Sequence, residues 1–325
     1  MPHEIETMFS ARIPAWHKLG TVTEGALNSA DAIVQAGLDW TVSTRGLMAY
    51  ETGGLTTDFQ SLVEVPDYYA TVRDTDDSVL GVVGRRYTPI QNIECFNFMD
   101  TVVDDSDAYY ETAGSLYGGK VVWMLLNLNK PAQVDEDITH NYLLLTNSHD
   151  GSSSLKGLTT PIRVVCANTL RLAINGQRNG FSYRHTTNLK GKVAQAKATL
   201  DLSYAYVDEF QVEMERLLDT EVTNEKFNEI MDKLMPIPEP TVDNVKAVTR
   251  VTNQRGGIEK LFNTPEFATH TNTGWAFINA TSNYEQWQQS IRGKQSREDK
   301  IAQKTIMGTE SPITSLVYKE LTNAG

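Results

Sequence analysis

The hydrophobic pattern of the chain changes its period near residue 190, and that change most restricts the folds open to it. Up to there, apolar residues come in short runs rich in β-branched and aromatic side chains, set off by turn residues. Beyond it, Val193, Ala196, Leu200, Val207, Phe210, Met214 and Leu217 recur at three- and four-residue steps. Short apolar runs between turns suit strands, and a repeat near 3.6 residues suits a helix with one apolar face. The expected class is therefore α+β. A β-hairpin-rich antiparallel sheet with packed helices occupies residues 1–189, and a mostly helical region occupies 190–325. The stripe from Val193 to Leu217 also keeps close to a seven-residue period, which suits either the chain's own core or a seam between copies, and a homo-oligomer that makes much of its contact through this helical region is expected.

Within the first region, Ser29–Ala36 reads as a short helix capped by Ser29 and stopped by Gly37. Strands are expected at Trp40–Thr44, Ser61–Val65, Tyr68–Arg73 and Val79–Val83, the last two joined through Asp74–Asp77. Asn92–Val103 carries a helical period. Tyr109–Ala113 and Lys120–Leu128 flank Gly118-Gly119, a pair suited to a tight hairpin turn. Tyr142–Thr146 is a further strand, followed by the polar loop Asn147–Ser154 and a helix over Ile162–Ile174 that starts after Pro161. In the second region Pro236, Pro238 and Pro240 interrupt the helical run. Helices then follow at Val242–Phe262, Gly274–Gln289, Arg297–Ile306 and Ile313–Leu321.

A chain of 325 residues buries a core without staples, and two cysteines, Cys95 and Cys166, allow one bridge at most. A secreted disulfide scaffold is excluded. No apolar leader follows a basic start and no run of about 18 apolar residues occurs, so a cytoplasmic chain with no membrane contact is expected.

Net charge is −12, which argues against a surface that coats nucleic acid all over. Its distribution is uneven. Residues 1–150 carry a net −14, residues 201–325 a net −6, and residues 151–200 a net +8 with no Asp or Glu at all. At the average frequency such a stretch should hold about six acids. Its cations are Lys156, Arg163, Arg171, Arg178, Arg184, Lys190, Lys192 and Lys197, interleaved with Phe181, Tyr183 and His185. Gly84-Arg85-Arg86-Tyr87 is a second basic and aromatic spot, set in the acidic half. Guanidinium groups hold phosphates and aromatic faces stack on bases, so the two stretches suit a single strand if they converge.

Other motifs carry less. Gly114–Val121 resembles a phosphate loop, but Val121 stands where a magnesium-binding hydroxyl belongs and a strand follows where a helix should. A hairpin turn explains it. The six histidines and two cysteines show no zinc spacing, and no cofactor or metal is expected. Asp100, Asp104, Asp105, Asp107 and Glu111 read as a solvated helix end, and Cys166 as a buried inert thiol. His149-Asp150 is the one pair with the makings of a base and its orienting carboxylate, the alternative catalytic site.

Several motifs in order resemble one family. Trp16-His-Lys-Leu-Gly20, Val83-Gly-Arg-Arg-Tyr87, Glu111-Thr-Ala-Gly-Ser115, Asn147-Ser-His-Asp-Gly-Ser152, Arg163–Leu170 and Thr273-Gly-Trp-Ala276 are similar to the phage/plasmid-like proteins of domain of unknown function 932. The resemblance implies a mobile-element context and no established activity. Element order and charge are also similar to Rad52-type single-strand annealing proteins, an analogy of arrangement and not of motifs. Together these readings lead to single-stranded DNA binding and annealing without ATP. Arg85, Arg86, Lys156, Arg163, Arg171, Arg178, Arg184, Lys190 and Lys192 are expected on phosphates, with Tyr87, Phe181 or Tyr183 on bases. A nucleic-acid-processing enzyme built on His149 and Asp150 is the alternative, as is a phage protein that binds a host recombination or defence component.

Overall fold

The computed structural model describes residues 5–11, 21–23, 28–50, 62–104, 107–134, 137–163, 180–185, 193–264, 270–290, 296–307 and 311–323. In chain order its first elements are β1 (Ile5–Ala11), β2 (Thr21–Thr23), α1 (Ser29–Gln35), β3 (Val42–Tyr50), β4 (Leu62–Arg73), β5 (Val79–Gly84) and α2 (Asn92–Asp104). Next come β6 (Tyr109–Leu116), β7 (Val121–Asn127), β8 (Ala132–Val134), β9 (Asp137–Ser148), β10 (Leu155–Arg163) and β11 (Gly180–Tyr183). The rest is helical: α3 (Val193–Asp219), α4 (Asn224–Leu234), α5 (Val245–Phe262), α6 (Gly274–Asn283) with a π-helical turn at Tyr284–Gln288, α7 (Arg297–Ile306) and α8 (Pro312–Asn323). The class is α+β, with the helices gathered toward the C-terminal side.

The strands form two sheets. The larger runs β11-β10-β9-β7-β6-β1-β2, with β8 paired to β9, and all its pairs are antiparallel except β1 with β2. The smaller is β3-β4-β5. Strand β7 is buried along its whole length, because both faces of the larger sheet are covered. On one face Val122, Met124, Leu126, Leu143 and Leu145 meet Ala32, Phe96 and Met99 from α1 and α2. On the other, Trp123, Leu125 and Leu144 cluster with Ile306 of α7.

The helical region has its own centre. Phe227 lies 4.6 Å from Phe277 and 5.0 Å from Phe262, ring to ring, with Phe210, Met214 and Leu217 in the same cluster. It is joined to the sheet through Trp275, whose buried Nε1–H donates to the buried Asp137 carboxylate at 2.7 Å.

Several expectations are corrected. Val207, Phe210, Met214 and Leu217 are all at most 1% exposed, so these four residues of the stripe lie inside the chain's own core and not in a seam between copies. One helix face serves both hydrophobic clusters, which is what a chain needs to join them. Ile162 and Arg163 close a strand, not open a helix; residues 164–174, with Cys166, lie outside the described residues. Pro161 pairs with Asn141 beyond the last β10 residue matched to β11, so among the described residues its missing N–H falls where one side has no strand. The cap of α1 is Asn28, whose side chain accepts from Asp31 N–H at 2.8 Å, and not Ser29. The runs expected at Ser61–Val65 and Tyr68–Arg73 fall, from Leu62 on, in one strand, β4, interrupted by a bulge at Pro66–Tyr68; Ser61 lies outside the described residues. No helix among the described residues is long and apolar enough to cross a membrane.

Candidate nucleic-acid interface

The exit of β5 is a tight turn: Tyr87 N–H donates to the Gly84 carbonyl at 2.9 Å, and Arg85 N–H to the Asp67 carbonyl at 3.0 Å. That geometry throws Arg85 and Arg86 outward and turns Tyr87 in. The Tyr87 hydroxyl donates to the Ser148 carbonyl at 2.8 Å, and its ring stacks on His185 at 4.6 Å. Thr88 N–H donates to the His185 carbonyl at 2.6 Å. The turn is thereby tied to the end of β9 and to the residues that follow β11.

The loop between β9 and β10 closes the third side. Asp150 accepts from Ser152 N–H at 2.9 Å, and Ser148 Oγ accepts from Ser153 N–H at 2.9 Å while donating to the Ser153 carbonyl at 2.7 Å. Gly151 takes φ +75°, open to glycine at no steric cost. Gly81 of β5 lies so close beneath that a Cβ there would come within 2.5 Å of the Asp150 backbone. The smaller sheet therefore seats directly against this loop.

Between these walls lies an open cleft of about 1260 Å³, lined by Arg85, Arg86, Arg184, Tyr68 and the loop serines among others. Arg86 and Arg184 are exposed and make no ion pair among the described residues. Arg85 reaches Asp67 at 3.7 Å, with both side chains mostly in water (76% and 68% exposed), a pairing of little strength. Guanidinium groups not committed to a carboxylate are free to donate charge-assisted hydrogen bonds to an anion.

A family model for a domain of unknown function, DUF932, matches residues 79–306, more than two thirds of the chain. The chain belongs to the DUF932 family. The DUF932 span holds Arg85, Arg86, the loop serines and Arg184, so three sides of the cleft are family-matched sequence, whereas Pro66–Tyr68 on the fourth lies outside it. No curated protein and no solved structure gives a significant match.

Other residues of the DUF932 span are placed differently. Tyr183 packs on Phe181 at 4.9 Å and both join the helix-covered core, so it faces away from Arg184 across the strand. Lys156 pairs with Ser182, on the sheet face that Arg184 shares, next to the cleft but not lining it. Arg163 ends β10, at the opposite end from the cleft. Arg171, Arg178, Lys190 and Lys192 lie outside the described residues.

His149 is fully buried. Asn92 donates through its amide to the Leu38 and Trp40 carbonyls, which leaves its Oδ1 to accept from His149 Nε2–H at 2.9 Å. Burial, with His185 and Arg73 nearby, pushes His149 down to about 3, against a weaker upward pull from Asp150. A neutral imidazole sealed beneath Trp40 fastens the end of β9 to α2. His185 is likewise pushed below its ordinary value by burial. Asp100 accepts from the Tyr110 hydroxyl at 2.9 Å, and among the described residues no three His, Cys, Asp or Glu side chains converge on a metal-sized site. The Gly114–Val121 stretch is a hairpin, with φ positive at Tyr117, Gly118 and Gly119 and the Arg73 guanidinium donating to the Gly118 carbonyl at 2.6 Å.

The cleft-lining residue that sequence reasoning missed is Tyr68. Its signal was Pro66-Asp67 inside a strand-like run, a combination that marks a bulge near a site.

Proposed function

We propose that the chain is a single-stranded DNA binding and annealing protein of a mobile element, acting without ATP. The observation that carries the reading is the meeting of Arg85 and Arg86 with Arg184 on one open cleft, from stretches almost a hundred residues apart. In a chain of net charge −12 such a meeting concentrates phosphate affinity in one place, while the acidic remainder repels DNA elsewhere. The phage and plasmid context implied by the motif resemblance supports this reading. So does the hairpin-and-helix order that resembles Rad52-type annealing proteins. Phosphates held on arginines leave base edges free to find a complement, which is the whole chemical demand of annealing. Self-association of the chain extends one short cleft into a longer track.

The enzyme reading built on His149 and Asp150 has less support, because a general base must reach its proton and the His149 ring is fully enclosed. Labelled single- and double-stranded oligonucleotides titrated in EDTA, without ATP, test the proposal. Tighter binding to the single strand, and complementary strands that pair faster with protein than without, are expected. Equal affinity for duplex, or magnesium-dependent cleavage lost in His149→Ala, overturns it.

A further inference from the structure

We propose that Tyr68 is the base-stacking platform of the cleft, and that it gives the site its preference for single strands. The inference rests on the single-strand reading above and deepens it. Tyr87 and Tyr183, the aromatics nearest the arginines in sequence, are each partly buried with the ring packed on another aromatic. Tyr87 is held by Ser148 and His185, and Tyr183 by Phe181. Tyr68 lines the same cleft with 54% of its surface in water.

The bulge in β4 explains why. Gly46 of β3 pairs with Tyr69 and the next residue, Leu47, with Val65, so Pro66, Asp67 and Tyr68 are lifted out of the β3 ladder, with Asp67 at φ +63°. Bulges of this kind re-aim a side chain. On its other side Tyr68 pairs with Gly84, which has no side chain to cover the ring. Arg85 follows Gly84 directly, so a strand whose phosphates lie on Arg85 and Arg86 passes beside an uncovered phenol ring. A duplex keeps its bases stacked on each other and has none to give, whereas an unpaired strand does.

The test compares wild type, Tyr68→Ala, Tyr68→Trp and Arg85→Ala/Arg86→Ala on a single-stranded oligonucleotide and on an abasic strand of the same length. Tyr68→Ala is expected to lose roughly 5- to 100-fold in affinity for the base-containing strand. It should match wild type on the abasic strand and keep the wild-type salt slope, and Tyr68→Trp should retain binding. Because Tyr68 is more than half exposed, circular dichroism and the melting temperature should stay close to wild type. Undiminished binding by Tyr68→Ala, or an equal loss on the abasic strand, overturns the stacking role while leaving the cleft in place. Undiminished binding by Arg85→Ala/Arg86→Ala, or no binding by wild type, overturns the cleft reading itself.

Discussion

Replacing Arg85, Arg86 and Arg184 together by Ala should flatten the salt dependence of single-strand binding by a calculable amount. Each phosphate neutralised on a single strand contributes about 0.7 to the slope of log K against log salt. Three cleft arginines on three phosphates therefore account for a slope of about −2. Between about 50 and 200 mM salt, that share of the slope is worth roughly 20-fold in affinity. Wild type should lose that factor in addition to whatever other cations contribute, and the triple variant should not. The difference is the useful quantity, since contacts made by Arg171, Arg178, Lys190 or Lys192 enter both proteins alike. All three side chains are exposed and, among the described residues, only Arg85 pairs with a carboxylate, at 3.7 Å in water, so the fold should survive. Fluorescence anisotropy over a salt series, with far-UV circular dichroism as the control, gives the answer. A triple variant that keeps the wild-type slope refutes the claim that these arginines hold phosphates.

Below pH 6.5 the unfolded chain protonates its histidines while buried His149, held down to about 3, does not; the unfolded state then binds more protons, and stability falls as pH drops toward 3. The slope is up to about 1.4 kcal/mol per pH unit for each such histidine. His185 acts in the same direction, and urea titrations on either side of pH 6.5 should show His149→Gln with the shallower dependence. Trp275→Phe keeps a buried ring but removes the donor to Asp137, at a cost of roughly 1.5–3 kcal/mol read from chemical denaturation; an unchanged midpoint would show that the bond contributes nothing net. Val207→Glu and Met214→Glu should unfold the chain outright, since each puts an unpaired carboxylate in a core position. Light scattering at micromolar concentration should give a mass above the 36.2 kDa of one chain, and a monomer with and without single strands would remove ring and filament forms from the annealing proposal.

Where one period ran uninterrupted, the fold was legible to within a few residues. Arg297–Ile306 agrees at both ends, and the Val193–Leu217 stripe is a single helix to Asp219. The losses have specific causes. Ile162 after Pro161 has the local look of a first helical turn, but the β9 strand offers Ile162 a ladder partner at His140, and that pairing outweighs a weak local preference. Strands as short as β2, β8 and β11 have too few residues for a pattern and exist because a neighbouring strand is already there to pair with. A seven-residue stripe is ambiguous in principle, since the same spacing serves a partner helix or the chain's own core. Which one it meets depends on what the remaining elements leave uncovered.

For the site, residue type was legible but side-chain direction was not. A run such as Phe181-Ser-Tyr-Arg184 looks like one basic and aromatic patch, but successive side chains on a strand point to opposite faces. Phe181 and Tyr183 share one parity and go to the core; Arg184 takes the other and meets Arg85 and Arg86. Parity alone would have separated Tyr183 from Arg184 once β11 was recognised as a strand. It fails at β4, where three extra residues shift the alternation and put Tyr68 outward beside Gly84. His149 failed for another reason. Its neighbours in sequence are polar, so it read as a loop residue, but its hydrogen-bond partner Asn92 lies 57 residues away. Cleft and core here are separated by a single residue step, from His149, sealed under Trp40, to the Asp150–Ser154 loop, and only the packing of the smaller sheet against that loop decides on which side each residue falls.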